Sequence, residues 1–263
     1  MSANTLMTTL KKVDPAEIPT ARPCRALRHV AMLLSILLLA AMAAAAEPKP
    51  ARKPPAKRAP DPALLPIQDV PDLPRVLLIG DSISIGYTLP VRELLTGKAN
   101  VHRPPVNCGD TQRGLAALDK WLGEKKWDVI HFNFGLHDLK YLNAKGEYVT
   151  PDQGKQVTPL PQYEQNLRQL AERLKQTGAK IVWCSTTPVP DGTKGRVKDS
   201  EVAYNTVAAK VAAESGIAID DLHAVAKARQ AELQSPHNVH FTPEGYKVLA
   251  KAVAASVERA LGR

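Results

Sequence analysis

Four short blocks carry the residues able to do chemistry. Gly80-Asp81-Ser82 closes a run of branched aliphatics and offers a hydroxyl. Asn107-Cys108-Gly109-Asp110-Thr111, with Gly114 beyond it, is rich in turn formers, and Gly135-Leu136-His137-Asp138 follows a second apolar run. His237-Asn238-Val239-His240 comes just before Phe-Thr-Pro-Glu-Gly-Tyr. A serine becomes a nucleophile when a base takes its proton, and a histidine can hand that proton on to the leaving group. Ser82 with His240 suits acyl transfer. The backbone N–H groups of Ser82 and Gly109, joined by a side-chain donor from His137, can meet the oxyanion of a tetrahedral intermediate, where one donor is worth about 10²- to 10³-fold in rate. Taken singly, Asp81 and Ser82 are also an ordinary helix cap, and the loop around Gly109 an ordinary turn. Their order along the chain favours a site.

Competing motifs fail on spacing. Ser84 stands where Gly-x-Ser-x-Gly needs its last glycine, so the α/β-hydrolase elbow does not apply. Gly80 and Gly86 lack the phosphate-loop spacing and lysine. His237 and His240 can be drawn around a metal with His137 and Asp138, but His-x-x-His in a loop is a weak signal and leaves the serine block unexplained. No metal and no cofactor are expected. His29, His102, His131 and His223 form no pattern and read as structural or surface residues.

The elements that must position these blocks alternate between strand and helix. Apolar runs predict strands over 76–79, 100–103, 127–133, 180–185 and 217–219. Helices are expected at 90–95, around Leu115, Leu118 and Leu122, around Tyr163, Leu167, Leu170 and Leu174, and over 199–215. A final helix carries Tyr246, Leu249, Val253 and Val257 behind a Thr242-Pro243 start. This alternation implies an α/β fold, a three-layer α/β/α sandwich on a five-stranded parallel sheet. With strand order 2-1-3-4-5, the four blocks share the carboxyl rim of the sheet. The segment 140–161 shows no period and is long for a bare connection, which suggests a lid or one wall of the substrate site. Its Tyr141 and Tyr148 either stack on a sugar ring or pin the loop to the body.

Residues 1–46 hold a basic leader and an uncharged run over 30–46 that ends in alanines. They read as a signal peptide or an N-terminal membrane anchor. Residues 47–62, almost entirely Pro, Ala, Lys and Arg, read as an extended linker, and 63–263 as one domain. The net charge of +9 is mostly terminal. Residues 1–62 hold ten Lys and Arg against four Asp and Glu, which leaves 25 against 22 in the rest and argues against nucleic-acid binding. With Cys24 in the leader, Cys108 and Cys184 are expected as two free, buried thiols.

The four ordered blocks resemble those of the SGNH/GDSL family of serine esterases, over about residues 74–261, and imply its flavodoxin-like fold. The resemblance makes Ser82 the nucleophile, His240 the base, and Ser82, Gly109 and His137 the oxyanion hole, with Gly114 competing for the place of Gly109. Two positions depart from the pattern. His137 stands where the family has asparagine; a neutral imidazole still donates one N–H. His237, three residues before His240, stands where the family has aspartate and cannot supply its carboxylate. A main-chain carbonyl near this His-orienting position, or Asp221, is then needed in its place, since losing the carboxylate costs about 10⁴-fold in the serine-protease triad. The implied function is an exported, periplasmic or extracellular ester hydrolase acting on a small-molecule or polysaccharide ester, most simply an acetyl ester of a carbohydrate. The alternatives are a weak or inactive module that binds cell-envelope polysaccharide, and an O-acyltransferase.

Overall fold

Strand β1, Arg75–Ile79, is the middle of the domain. Its residues 76–79 are at most 1% exposed because both faces of the strand are covered by helices. The computed structural model describes residues 59–263. The readings of the leader, of most of the linker and of Cys24 lie outside the described residues.

After β1 the chain forms α1 (Ser82–Leu94), β2 (Asn100–His102), α2 (Thr111–Leu122), β3 (Val129–Phe132), β4 (Tyr141–Leu142) and β5 (Lys155–Gln156). Then follow α3 (Leu160–Lys175), β6 (Lys180–Cys184), α4 (Glu201–Glu214), β7 (Ala218–Asp220), α5 (Leu222–Lys227), α6 (Gln230–Leu233) and α7 (Pro243–Ala260). The main sheet is parallel with order β2-β1-β3-β6-β7, the 2-1-3-4-5 arrangement expected from the alternation of elements. Helices α1, α5 and α7 pack together, as do α2, α3 and α4, with the sheet between the two layers. The fold is the α/β sandwich read from the sequence. Cys108 and Cys184 are free and buried.

Three differences matter for the site. The helix after Ser82 starts at that serine and runs through Pro90, rather than beginning at residue 90. The segment 140–161 is not structureless: β4 and β5 pair antiparallel, and a 3-10 turn, Pro151–Gln153, lies between them. Two short helices, α5 and α6, fill the stretch before the final histidine block. Among the described residues no helix is long and apolar enough to cross a membrane.

The contact between α1 and α7 sets the site's geometry. A Cβ on Gly86 would lie 2.2 Å from the Tyr246 ring, so glycine is what lets that ring press onto the helix that starts with Ser82. Tyr246 also packs on Phe241, the residue after His240, at 5.8 Å between ring centroids.

Candidate active site

Each site block sits at a strand exit fixed by its own hydrogen bonds. At the end of β1, a side chain on Gly80 would come within 2.9 Å of Ser84, so the turn needs glycine there. Asp81 caps α1, its Oδ1 accepting the Ile83 N–H at 2.9 Å. Ser82 is therefore the first helical residue, where a backbone N–H has no intrahelical acceptor and faces anions favourably. Beneath this turn the buried Arg103 guanidinium donates to Ser84 Oγ (2.9 Å), Thr88 Oγ1 (3.0 Å) and Gly80 O (3.3 Å).

The histidine that faces Ser82 comes from the loop before α7. Gln234 is buried and its Nε2 donates to Pro188 O and Val239 O, while Ser235 N donates to His240 O at 2.9 Å. These bonds hold His240 so that its Nε2 lies 2.9 Å from Ser82 Oγ. Asn238 Oδ1 lies 3.1 Å from the His240 backbone N and 2.8 Å from its Nδ1. A backbone N–H only donates, so the Asn238 atom facing it is the oxygen, and an oxygen facing Nδ1 requires the proton on Nδ1. The lone pair of Nε2 is thereby left toward the serine hydroxyl. This is the tautomer a general base needs.

Asn238 therefore takes the orienting place, and the His237 reading is corrected. His237 has φ +53°, a left-handed conformation that turns its ring away, and its Nδ1 donates to the Asp191 carbonyl at 2.8 Å. Gly192 makes room for it, since a Cβ there would sit 2.6 Å from His237 Nδ1. Asp221 does not substitute either. It caps α5 and accepts the Ser185 hydroxyl at 2.8 Å. The signal in the sequence for Asn238 is its amide oxygen two residues before His240, an acceptor without a carboxylate's charge.

On the oxyanion side, the turn after β3 is closed by Asp138 N and Leu139 N, both donating to Gly135 O at 2.9 Å. Asp138 Oδ1 accepts from Thr111 N and Oγ1, which ties this turn to the start of α2. Burial pushes the Asp138 carboxyl up to about 7 against these donors. His137 Nδ1 accepts from Lys140 Nζ at 3.1 Å, so a neutral His137 carries its proton on Nε2. Burial chiefly lowers the His137 pKa; Asp81 and Asp110 oppose this, while Lys140 and Arg196 add to it.

Gly109 has φ +72° and gives its N–H to Asn107 Oδ1 at 2.9 Å. That bond fixes the Asn107 amide with its oxygen toward Gly109, and Asn107 lines the cavity over Ser82. Gly114 lies inside α2 against Phe134, 2.7 Å from where a Cβ would sit, and is a packing glycine.

The cavity is about 430 Å³ and is lined by Ser82, His137 and His240 together with Tyr148, Lys194 and Arg196. Tyr148 forms a wall, as one reading of the 140–161 segment has it. Lys194 and Arg196, from the loop between β6 and α4, were not singled out in the sequence, although Lys194, Arg196 and Lys198 make that loop basic. His131, Cys184 and Asp220 are metal-ligand types within 4.8 Å of one another, but they are buried and His131 Nε2 is hydrogen-bonded to Asp220 at 2.9 Å.

The family model for GDSL-like lipases and acylhydrolases matches residues 78–248. This chain belongs to that family. No curated protein matches the chain. Among solved structures, the acetyl xylan esterase AlAXEase superimposes with a TM-score of 0.57 at 17% identity, covering 70% of this chain and 99% of its own. A lipase/acylhydrolase from Enterococcus faecalis gives 0.59 at 18% identity, over 71% and 96% of the two chains. A catalytic mutant of Axe2, an acetylxylan esterase from Geobacillus stearothermophilus, gives 0.56 at 19%, over 70% and 94%. At these identities the likeness is one of fold. It covers nearly the whole of each neighbour.

Proposed function

We propose that this GDSL family member is an exported serine esterase that removes acyl groups, acetyl in the simplest case, from a carbohydrate. The observation that carries the reading is the chain of contacts from Ser82 Oγ to His240 Nε2 at 2.9 Å and from His240 Nδ1 to Asn238 Oδ1 at 2.8 Å. The acetyl xylan and acetylxylan esterases among the structural neighbours support a carbohydrate acetyl ester. The sequence of residues 1–46 supports export.

In the first half-reaction Ser82 Oγ attacks the ester carbonyl carbon as its proton passes to His240 Nε2. The Ser82 N–H, at the start of α1, and the His137 Nε2–H receive the oxyanion. Gly109 joins them only when its N–H leaves Asn107. The carbon–oxygen bond to the alcohol then breaks, and His240 returns the proton to the departing alkoxide. Water, deprotonated by His240, attacks the acyl-serine, and the carboxylic acid leaves as Ser82 regains its proton. Throughout, Asn238 keeps Nδ1 protonated and the ring in place. It offers the imidazolium an amide dipole rather than a full charge. The inactive-module alternative rested on the missing carboxylate at His237, and the Asn238 contact weakens that motive.

The test is hydrolysis of p-nitrophenyl acetate by the full chain, with Ser82→Ala and His240→Ala, and with product analysis in the presence of a sugar acceptor. Turnover lost in both variants is expected. Turnover that survives Ser82→Ala overturns the reading, and acetylated acceptor in excess over acetate makes the protein a transferase.

A further inference from the structure

The cationic wall of the cavity has no counterpart in the chemistry of a neutral ester. Lys194 and Arg196 both line it. Arg196 is fixed on two sides, with Nε donating to Leu136 O at 2.9 Å and the guanidinium 5.6 Å from the centroid of the Tyr148 ring. Gly195 permits this stack, because a Cβ there would lie 2.5 Å from Tyr148 Cδ1. Lys140 Nζ lies 5.4 Å from the same ring and donates to His137.

Several cations elsewhere in the described residues have a carboxylate partner, while the buried Arg103 is held by hydroxyl and carbonyl oxygens instead. Arg75 pairs with Asp69, Lys98 with Glu258, Arg168 with Glu164 and Glu214, Arg173 with Asp119, and Lys227 with Asp199. Lys140, Lys194 and Arg196 form no such pair among the described residues. Asp81 is the one carboxylate lining the cavity, and its Oδ1 is engaged as the cap of α1. A cation drawn partly out of water without a counter-charge is costly, and Arg196 is buried enough that its guanidinium is less readily charged than usual. Such a group gains most when a ligand brings the missing anion.

We propose that the substrate is an acidic saccharide, with a ring carboxylate that seats between Lys194 and Arg196 while its acyl ester lies over Ser82. This rests on the esterase reading for the ester half, whereas the anion subsite stands on the lysine and arginine themselves. The planar fork of Arg196, held at Nε and backed by Tyr148, suits a carboxylate, and Lys194 adds a mobile point charge at the open edge. The aromatic ring supplies an apolar surface for the face of a sugar.

The experiment compares the full chain on acetylated oligogalacturonate, on acetylated xylo-oligosaccharide, and on p-nitrophenyl acetate beside the half-ester p-nitrophenyl succinate. Calorimetry measures binding of unesterified oligogalacturonate against neutral xylo-oligosaccharide. The expected result is a preference of roughly tenfold or more in kcat/KM for the acidic oligosaccharide, the size of a charge-assisted hydrogen bond. The preference falls toward unity in the Lys194→Gln/Arg196→Gln double variant through a rise in KM, and Arg196→Lys restores part of it. Equal rates on acidic and neutral substrates with equal binding overturn the proposal and leave the esterase reading standing. So does a preference that survives the double variant. A preference for the succinate half-ester without one for oligogalacturonate puts the anion on the acyl side and overturns the acidic saccharide. Oligogalacturonate binding that depends on Lys194 and Arg196 without turnover of any ester keeps the anion subsite and removes the esterase reading. Neither binding nor turnover removes both.

Discussion

Replacing Asn238 with aspartate places a full negative charge where an amide oxygen now sits 2.8 Å from His240 Nδ1. Aspartate is nearly isosteric and keeps the bond from the His240 backbone N–H, so the geometry carries over. Two unit charges about 4 Å apart attract by ~1 kcal/mol in water and ~4 kcal/mol at an effective dielectric near 20. Asn238 is exposed and His240 half-buried, so the gain for the imidazolium lies near the lower end. A gain of ~1.4–2 kcal/mol corresponds to about ten- to thirtyfold in kcat. It stays far below the about 10⁴-fold of the serine-protease triad, where the amide also imposes the wrong tautomer; here the His240 N–H already imposes the right one. The assay is p-nitrophenyl acetate hydrolysis as a function of pH. The carboxylate favours the protonated ring, so the acid limb of the Asn238→Asp profile moves to higher pH and the gain is largest on the alkaline side. His237→Asp, at the position where the family has its aspartate, gives no such gain, because that side chain points to the Asp191 carbonyl. A rise in His237→Asp with none in Asn238→Asp refutes the assignment.

Three further outcomes follow from the same contacts. His137→Leu removes an oxyanion donor and lowers kcat by about 10²- to 10³-fold, whereas His137→Asn keeps a donor and most of the rate, read in the same assay. Asp138 has its folded pKa raised to about 7 from an ordinary 3.8, so its stabilising contribution is full in acid and is lost as pH rises through about 7. The melting temperature of Asp138→Asn relative to the parent therefore climbs between those two values and is flat above them; a difference constant with pH contradicts the assignment. Arg103→Met removes the donor shared by Ser84, Thr88 and Gly80 and destabilises by roughly 3 kcal/mol in urea unfolding, since bonds from a buried charge are each worth about 1.5–3 kcal/mol.

The sheet was legible because its strands are short apolar runs ended by glycine or polar residues, and because βαβ handedness leaves few ways to order them. The helix starting at Ser82 was less so. Ser-Ile-Ser-Ile-Gly-Tyr-Thr is rich in residues that disfavour helix, and Pro90 resembles a start rather than an interior residue. Packing of Gly86 on Tyr246 and the Asp81 cap override that local preference. At the site, Ser82, His137 and His240 were found by residue type and order. Asn238 was not, since which of two adjacent side chains reaches His240 depends on the left-handed turn at His237. Lys194 and Arg196 stayed hidden for a related reason. A basic loop reads as solvated surface until the fold turns it toward the serine.

The contact of α1 with α7 through Gly86 and Tyr246 also says when the protein can work. The hydroxyl and the imidazole that it brings together are 158 positions apart in the chain. Ser82 is therefore synthesised well before the histidine that faces it. A nascent chain, or a fragment clipped before the final helix, carries a serine with nothing to activate it. On the Ser82–His240 reading, the appearance of hydrolysis during refolding is then a clock for the docking of the last helix.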